Sequence, residues 1–400
     1  MSIYGGIFNA TKNPTELNMK SFASMILRRF PNGAAPLFAM TSQTGRSKAK
    51  ASTHGYFTKT MVFSRMVTSA AYIAGDTTLA IVSTAGIVPG MVMHNPTTGE
   101  NVRVLTVPSA TQVTVTRGFG RIAAGAIASG ATLVAVGNAH EENSARPTPR
   151  SIAAVYVSNF TQIFRNAWAL TDTARASYAE LGYSNIAENK QDCANFHSTD
   201  IEAALFFGQA KMDTTGSQPI HSTQGIIDAV TQYASANVNT AGGTTTYDQL
   251  VGYLEGAFQY STSLGESKTR VLFGDSQAIK VLNAIGKKYV GDVSVTQSEN
   301  SFGMVFNKFR FYKGEINMIE HPLLNGLAVQ PGLAVVVDLP AIKMAYMDGR
   351  DAKIENYGIG GSAYGIDGVD GQGGSLTSEF ALELINPASS AVIRGLTAAA

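Results

Sequence analysis

The chain has 400 residues, 44% of them hydrophobic and only 15% charged, with 40 glycines and a formal net charge of +1. That length allows two or three domains, or one body with insertions, and the near-neutral balance argues against a protein that grips nucleic acid over a broad basic face. The single cysteine, Cys193, excludes an intramolecular disulfide and a thiolate-rich zinc site. No run reaches the roughly 18 apolar residues of a membrane span. Met1–Phe30 lacks an apolar core behind a basic start, so neither export nor membrane insertion is expected. A surface poor in charge and rich in small residues suits broad contact between subunits, although a turn-rich β protein would have the same composition.

Residues 1–35 are turn-rich, with one amphipathic stretch, ELNMKSFASMILRRF, in which Met19, Phe22, Met25, Ile26 and Leu27 fall near helical spacing. From Met40 the text becomes TSQTGRSKAKASTHGYF. Arg46, Lys48, Lys50 and Lys59 stand among small polar residues with nothing to bury, which predicts an exposed loop. The alternation over Tyr56–Val67 predicts a strand.

Between Gly75 and Val136 come five short β-branched runs: TTLAIVS, GMVMHN, NVRVLTVP, TQVTVTRG and ATLVAVG. Pro and Gly punctuate them at roughly ten-residue spacing, the pattern of a small all-β module. Gly99 marks a hairpin turn. The block contains one aromatic, Phe119, too few for a nucleic-acid stacking platform. EENSARPTPR then reads as a return linker, and SIAAVYV (151–157) as a strand leading back to the body.

Asn185 stands where an N-cap would, with Glu188 three residues on, the spacing of a capping box. About 25 residues then run without Pro or Gly as far as Gly208, which predicts a helix of roughly 35 Å. Its first half, NIAENKQDCANFHSTD, is polar nearly all round and is expected to lie on a surface as a structural spine. Helices are predicted over Thr223–Ala234, from Thr246, and over QAIKVLNAIGKK after the buried-type strand RVLFG. The strands GMVFNKFRFYKG, EINMIEH, LAVVVDL and KMAYMDG follow, a mixture that defines an α+β domain. Asp351–Ser375 is Gly-rich and reads as a loop, and LTSEFALELINP as a long returning strand.

The segment NFTQIFRNAWALTDTARA (Asn159–Ala176), the polar helix and DIEAALFFGQ (Asp200–Gln209) together resemble the major capsid proteins of tailed bacteriophages. The group resembled carries a β-rich insertion in the extended loop of the Hong Kong 97-type fold, and the similarity runs from about Pro36 to Leu396. The resemblance implies an α+β fold with an N-terminal arm (1–35), an extended loop (36–74) with a β insertion (75–138) and a return (139–150). A peripheral domain with the spine helix (151–215), an axial domain (216–350), a Gly-rich loop (351–376) and a C-terminal peripheral strand (377–400) would complete it. A frayed terminus with one docked helix explains residues 1–35 as well as an arm does.

The function implied is a structural one, with no enzymatic role. Hexamers and pentamers of the chain would self-assemble in the host cytoplasm into an icosahedral head around double-stranded DNA bound without sequence specificity. Portal, cement and, where one is used, scaffold proteins would be partners. The interface residues expected are Arg46, Lys48, Lys50 and Lys59 in the loop, and Glu188, Asp192, Asp200 and Glu202 on the spine. An encapsulin-like nanocompartment shell and a β-rich surface binding protein are the alternatives.

No catalytic, cofactor or metal set is expected. Phe273-Gly274-Asp275-Ser276 resembles the first block of GDSL-type hydrolases, but the chain has no Asn-Asp pair, and Met318 stands three before His321 where that family needs Asp. Helix capping accounts for Asp275 and Ser276. Cys193, His197 and Asp200 share a helix face, an arrangement that packing explains better than a triad does. Gly358, Gly360 and Gly361 lack the Lys-Ser or Lys-Thr of a phosphate loop. Asp367 and Asp370 lack EF-hand spacing.

Overall fold

The computed structural model describes residues 35–41, 44–60, 63–176, 185–259, 268–289, 297–301, 304–327, 331–357 and 371–399. The amphipathic stretch near the N-terminus, the Asn185 side chain, and Gly358, Gly360, Gly361, Asp367 and Asp370 lie outside what is described. The chain divides into two compact units, Tyr56–Val157 and the remainder on either side of it in sequence.

The larger unit is built on two sheets. The seven-stranded one runs Val238–Thr245, Ala391–Ala399, Ala334–Val337, Thr269–Gly274, Gly314–Glu320, Met304–Phe311, Gln297–Ser301. Its central strands TRVLFG and AVVV are nearly continuous apolar runs because both of their faces are covered. Val271, Phe273, Val335 and Val337 enter one core with Phe206, Ile226 and Phe380. Leu272, Val336 and Ile393 enter a second core, shared with Leu250 and Leu254 of helix Tyr247–Glu255 and with Leu282 and Ile285 of helix Ser276–Tyr289. Thr246 caps the first of these helices in a capping box with Gln249. Asp275 caps the second by accepting the Ala278 N–H at 2.7 Å, and its other oxygen accepts the Gly332 N–H at 2.7 Å.

The five-stranded sheet orders Arg46–Ala49, Ile342–Met347, Gly371–Leu384 and Gln162–Thr171, and Lys353–Tyr357 also pairs with Gly371–Leu384. Gln162–Thr171 and Gly371–Leu384 stay paired from Gln162 opposite Phe380 to Thr171 opposite Gly371. Phe164 stacks on Phe380 with ring centroids 5.0 Å apart. Helix Asn185–Phe207, 23 residues long, packs on Gln162–Thr171. Its inward stripe is Cys193, His197, Ile201 and Leu205, at four-residue spacing and all buried.

Several expectations change here. The basic stretch Arg46–Ala49 is a strand, parallel to Ile342–Met347, and not a free loop. The parallel pairing decides this, and it buries Ala49 with Ala345 and Ala381 while leaving Arg46 and Lys48 exposed. The spine helix is less superficial than its composition suggests, because Cys193 and His197 give its polar half a buried face. The Gly-rich segment contributes strand at both ends, in Lys353–Tyr357 and from Gly371 onward. SIAAVYV is extended only from Val155, in strand Val155–Phe160. The last strand, Ala391–Ala399, joins the seven-stranded sheet, while Ile342–Met347 joins the other.

The smaller unit is a β-barrel. Its strands order Arg65–Val67, Thr132–Asn138, Met91–His94, Asn101–Ser109, Gln112–Thr116, Thr78–Ala80. The ends meet through the Thr68–Ile81 bridge, where Ser69 N–H donates to Ala80 O at 3.0 Å and Val82 N–H to Val67 O at 2.9 Å. Met66, Leu79, Met93, Val102, Val113 and Leu133 fill the interior. The unit is wider than the 75–138 block, because Arg65–Val67 pairs with Thr132–Asn138 and supplies the sixth strand. Gly99, at φ +75°, makes the turn before Asn101–Ser109.

Candidate assembly surface

The expected interface residues fall into three groups. Arg46 and Lys48 lie on the strand at the border of the five-stranded sheet. Arg46 donates to Asp351 at 2.6 Å and stands 5.3 Å from the Tyr346 ring centre, while Lys48 reaches Asp348 at 3.2 Å. Burial, aided by the Asp351 charge, pushes the Tyr346 hydroxyl up to about 12. Lys48 and Asp348 are 78% and 82% exposed, so this pair adds little to stability. It remains available to other partners. Lys50 and Lys59 are exposed.

On the spine, Asp200 is exposed and accepts from Asn166 Nδ2 at 2.8 Å. Glu188 and Asp192 are half-buried, and each has partners within the chain. Glu202 does not belong to a surface. It is fully buried, and its oxygens accept the N–H groups of Leu37 (2.8 Å) and Phe38 (2.7 Å) and meet His321 Nε2 at 2.6 Å. A carboxylate without exposed area cannot contact a neighbour; it ties the short helix Pro36–Thr41 to the body.

The phrasing of Asn159–Ala176 has a physical basis that spacing alone did not reveal. Asn159 donates to Thr223 Oγ1, Gln224 O and Leu382 O at 3.0, 3.1 and 2.8 Å, and accepts from the Gln224 N–H at 2.6 Å. Thr161 Oγ1 donates to Glu379 at 3.0 Å, and Gln162 Oε1 accepts the Thr223 N–H at 3.0 Å. Asn166 Oδ1 meets His197 Nδ1 at 2.8 Å, and His197 Nε2 meets Ser378 Oγ at 2.9 Å. Lys190 Nζ lies 4.8 Å from the Trp168 ring centre. Strand, spine helix and long returning strand are thus joined by polar side chains.

Two carboxylates of that returning strand, on the face opposite Phe380 and Leu382, fasten the residues around it. Glu379 also takes Arg350 Nε at 2.8 Å, while Glu383 takes Ser47 Oγ at 2.8 Å and His54 Nε2 at 2.9 Å. None of these anchors was singled out from the sequence.

The candidate reactive clusters are structural. Both ring nitrogens of His197 are engaged, and burial pushes its pKa down against the opposing charge of Asp200. Burial pushes the Cys193 thiol up, so it is not poised as a thiolate. Ser276 Oγ donates to Glu320, and among the described residues no histidine hydrogen-bonds it.

The barrel has its own buried charge centre. Glu100 is fully buried, and Arg117 grips it with Nε on Oε1 at 2.8 Å and Nη2 on Oε2 at 2.9 Å. The N–H groups of Gly118 and Gly125 add bonds at 2.9 and 3.2 Å. Burial alone would raise the carboxyl's pKa, but Arg117 and the two amides outweigh it and hold it below the usual range.

Polar fasteners inside and charged side chains at a sheet border are the features of a protein of contacts, structural in kind. A family model for the SU10 major capsid protein matches residues 7–397. The major capsid protein of Pseudomonas phage PaMx41 is 55% identical over 407 residues, covering 99% of this chain and 97% of that one. The chain belongs to the SU10 major capsid protein family: it is a structural component of the phage head, resident in the virion, and not an enzyme. Among solved structures, one from Mycobacterium phage Bobi aligns at TM-score 0.49 and 10% identity over 96% of this chain and 98% of that one. The capsid of Myoviridae phage XM1 aligns at 0.48 and 10%, covering 98% and 100%. The holo-SrpI encapsulin complex of Synechococcus elongatus gives 0.42 and 11%, covering 62% and 80%. The family match carries the assignment; the superpositions add nothing to it.

Proposed function

We propose that this chain is a Hong Kong 97-type shell subunit that assembles as hexamers and pentamers into an icosahedral head around double-stranded DNA. The observation that carries the reading is the spine helix Asn185–Phe207 on the long antiparallel pair of Gln162–Thr171 and Gly371–Leu384, a frame from which the Tyr56–Val157 unit is led out and back. In this reading Tyr56–Val157 is an insertion in the extended loop, the two sheets are the peripheral and axial domains, and residues 1–35 are an arm. Arg46, Lys48, Lys50 and Lys59 meet carboxylates of adjacent copies, with Glu188, Asp192 and Asp200 on the acidic side. Each contact is modest, and closed symmetry multiplies it. Portal, cement and scaffold proteins are the further partners.

The test is negative-stain electron microscopy with light scattering on the full chain, alone and with the products of adjacent phage genes. Closed shells or capsomer rings support the reading, and DNA inside virion-derived shells separates a phage head from a cargo compartment. A monomer under every condition overturns it.

A further inference from the structure

The buried Glu100–Arg117 pair holds more than the barrel wall. Glu100 accepts the N–H of Gly118 with one oxygen and that of Gly125 with the other, and Arg117 Nη2 donates to Gly125 O. Both ends of the 118–125 loop are therefore fastened to one carboxylate–guanidinium centre. Arg117 Nη1 also donates to Ile73 O at 2.8 Å. Phe119 N–H donates to Asn101 O at 2.7 Å, and Gly118 and Gly120 adopt φ +60° and +145°, which suits a tight closed loop.

What this loop presents is Phe119, Arg121 and Ile122, all exposed. Arg103 Cζ lies 5.9 Å from the Phe119 ring centre, so a second guanidinium flanks the aromatic. Arg121 has no carboxylate partner among the described residues. Aromatic, arginine and branched aliphatic side chains on a rigid loop are the composition of a contact hot spot, since little conformational entropy is lost on binding.

Charge indicates the occupant. Residues 56–157 hold seven Lys and Arg against four Asp and Glu, a net +3, which leaves the rest of the chain at −2. Every copy thus carries opposite net signs in its two parts, and the positive loop is complemented by the net negative remainder of another copy rather than by a second barrel.

We propose that the 118–125 loop is an inter-subunit contact that sets Phe119, Arg121 and Ile122 against the larger, net negative unit of a second copy. The inference rests on the shell-subunit reading and adds a residue-level contact to it. The Glu100–Arg117 centre acts as a positioning device, holding the loop in its bound shape before contact.

The test places a photo-crosslinking amino acid at Ile122 of the full chain and, separately, makes Arg121→Glu with Ile122→Ser. Crosslinks in assembled particles are expected to join Ile122 to residues 158–400 of another copy. The double variant is expected to keep the wild-type melting transition, since neither side chain takes part in the fastening, and to lose at least tenfold in particle yield. Normal particles that give no self-crosslink, or a double variant that assembles at wild-type yield, overturn the loop contact and leave the shell reading intact. Failure of the unmodified chain to form particles under any condition overturns the shell reading and this contact together.

Discussion

Glu202 Oε1 and His321 Nε2 lie 2.6 Å apart with no exposed surface on either side chain, in a core that Phe206 and Phe273 line edge-on to the imidazole. The Leu323 N–H donates to His321 Nδ1 at 3.2 Å, which fixes the ring proton on Nε2, pointing at the carboxylate. Replacing Glu202 with Ala strands this donor and the N–H groups of Leu37 and Phe38. Each stranded buried donor costs ~1–3 kcal/mol. The expected loss is about 3 kcal/mol or more, read as a lower denaturant midpoint, and Glu202→Gln, which keeps one acceptor, should lose less. An unchanged midpoint for the Ala variant would refute the anchoring role.

Acid should loosen the barrel. The Glu100 carboxyl titrates below its unfolded value because Arg117 and two amides prefer it ionised. A depressed acid contributes stability that is fully present above the unfolded pKa of ~4.3 and disappears as pH falls through the folded value. Thermal melts of the full chain should therefore show a barrel-linked transition that falls steeply below about pH 4. In Glu100→Gln the acid-sensitive component should vanish, at the cost of a lower melting point at neutral pH. A barrel signal equally stable at pH 5 and pH 3 counts against the assignment.

Reversing Lys48 and Lys50 to Glu should leave the subunit folded and block particle formation. Both side chains are exposed, and the Lys48–Asp348 pair is too solvated to matter for folding. Circular dichroism should be unchanged while electron microscopy shows few or no shells. Normal shells from the double variant would remove this border from the interface.

Cys193 should resist thiol reagents until the spine helix is displaced. It is 5% exposed, and burial raises its pKa, so access and ionisation both work against reaction. Labelling in native buffer is expected to be slow and to become fast at the unfolding midpoint. Rapid native labelling would mean that the helix opens locally.

Legibility differed by the type of signal. The helices with apolar stripes and caps, Tyr247–Glu255 and Ser276–Tyr289, stand where Leu250, Leu254, Asp275 and Thr246 point. The β-branched runs from TTLAIVS to ATLVAVG each contain a strand. What stayed hidden was non-local. Nothing in RSKA announces a parallel partner three hundred residues away at Met344–Met347, because its four residues carry too short an alternation to separate strand from loop. Glu202 reads as one more surface acid on a polar helix; that Leu37 and Phe38 bury it is a tertiary fact. Glu100 is just as ordinary in NPTTGENVRV, and only the fold brings Arg117, Gly118 and Gly125 around it.

The closure of the barrel through Thr68 and Ile81 has a further consequence for a protein made in large numbers and concentrated on purpose. An open six-stranded sheet would offer unpaired amides to every neighbouring copy, a template for runaway stacking of strands. Joining the first strand of that sheet to the last removes the template from the barrel itself. Misassembly by strand addition would then begin at an open sheet edge such as Arg46–Ala49, Gln162–Thr171 or Val238–Thr245.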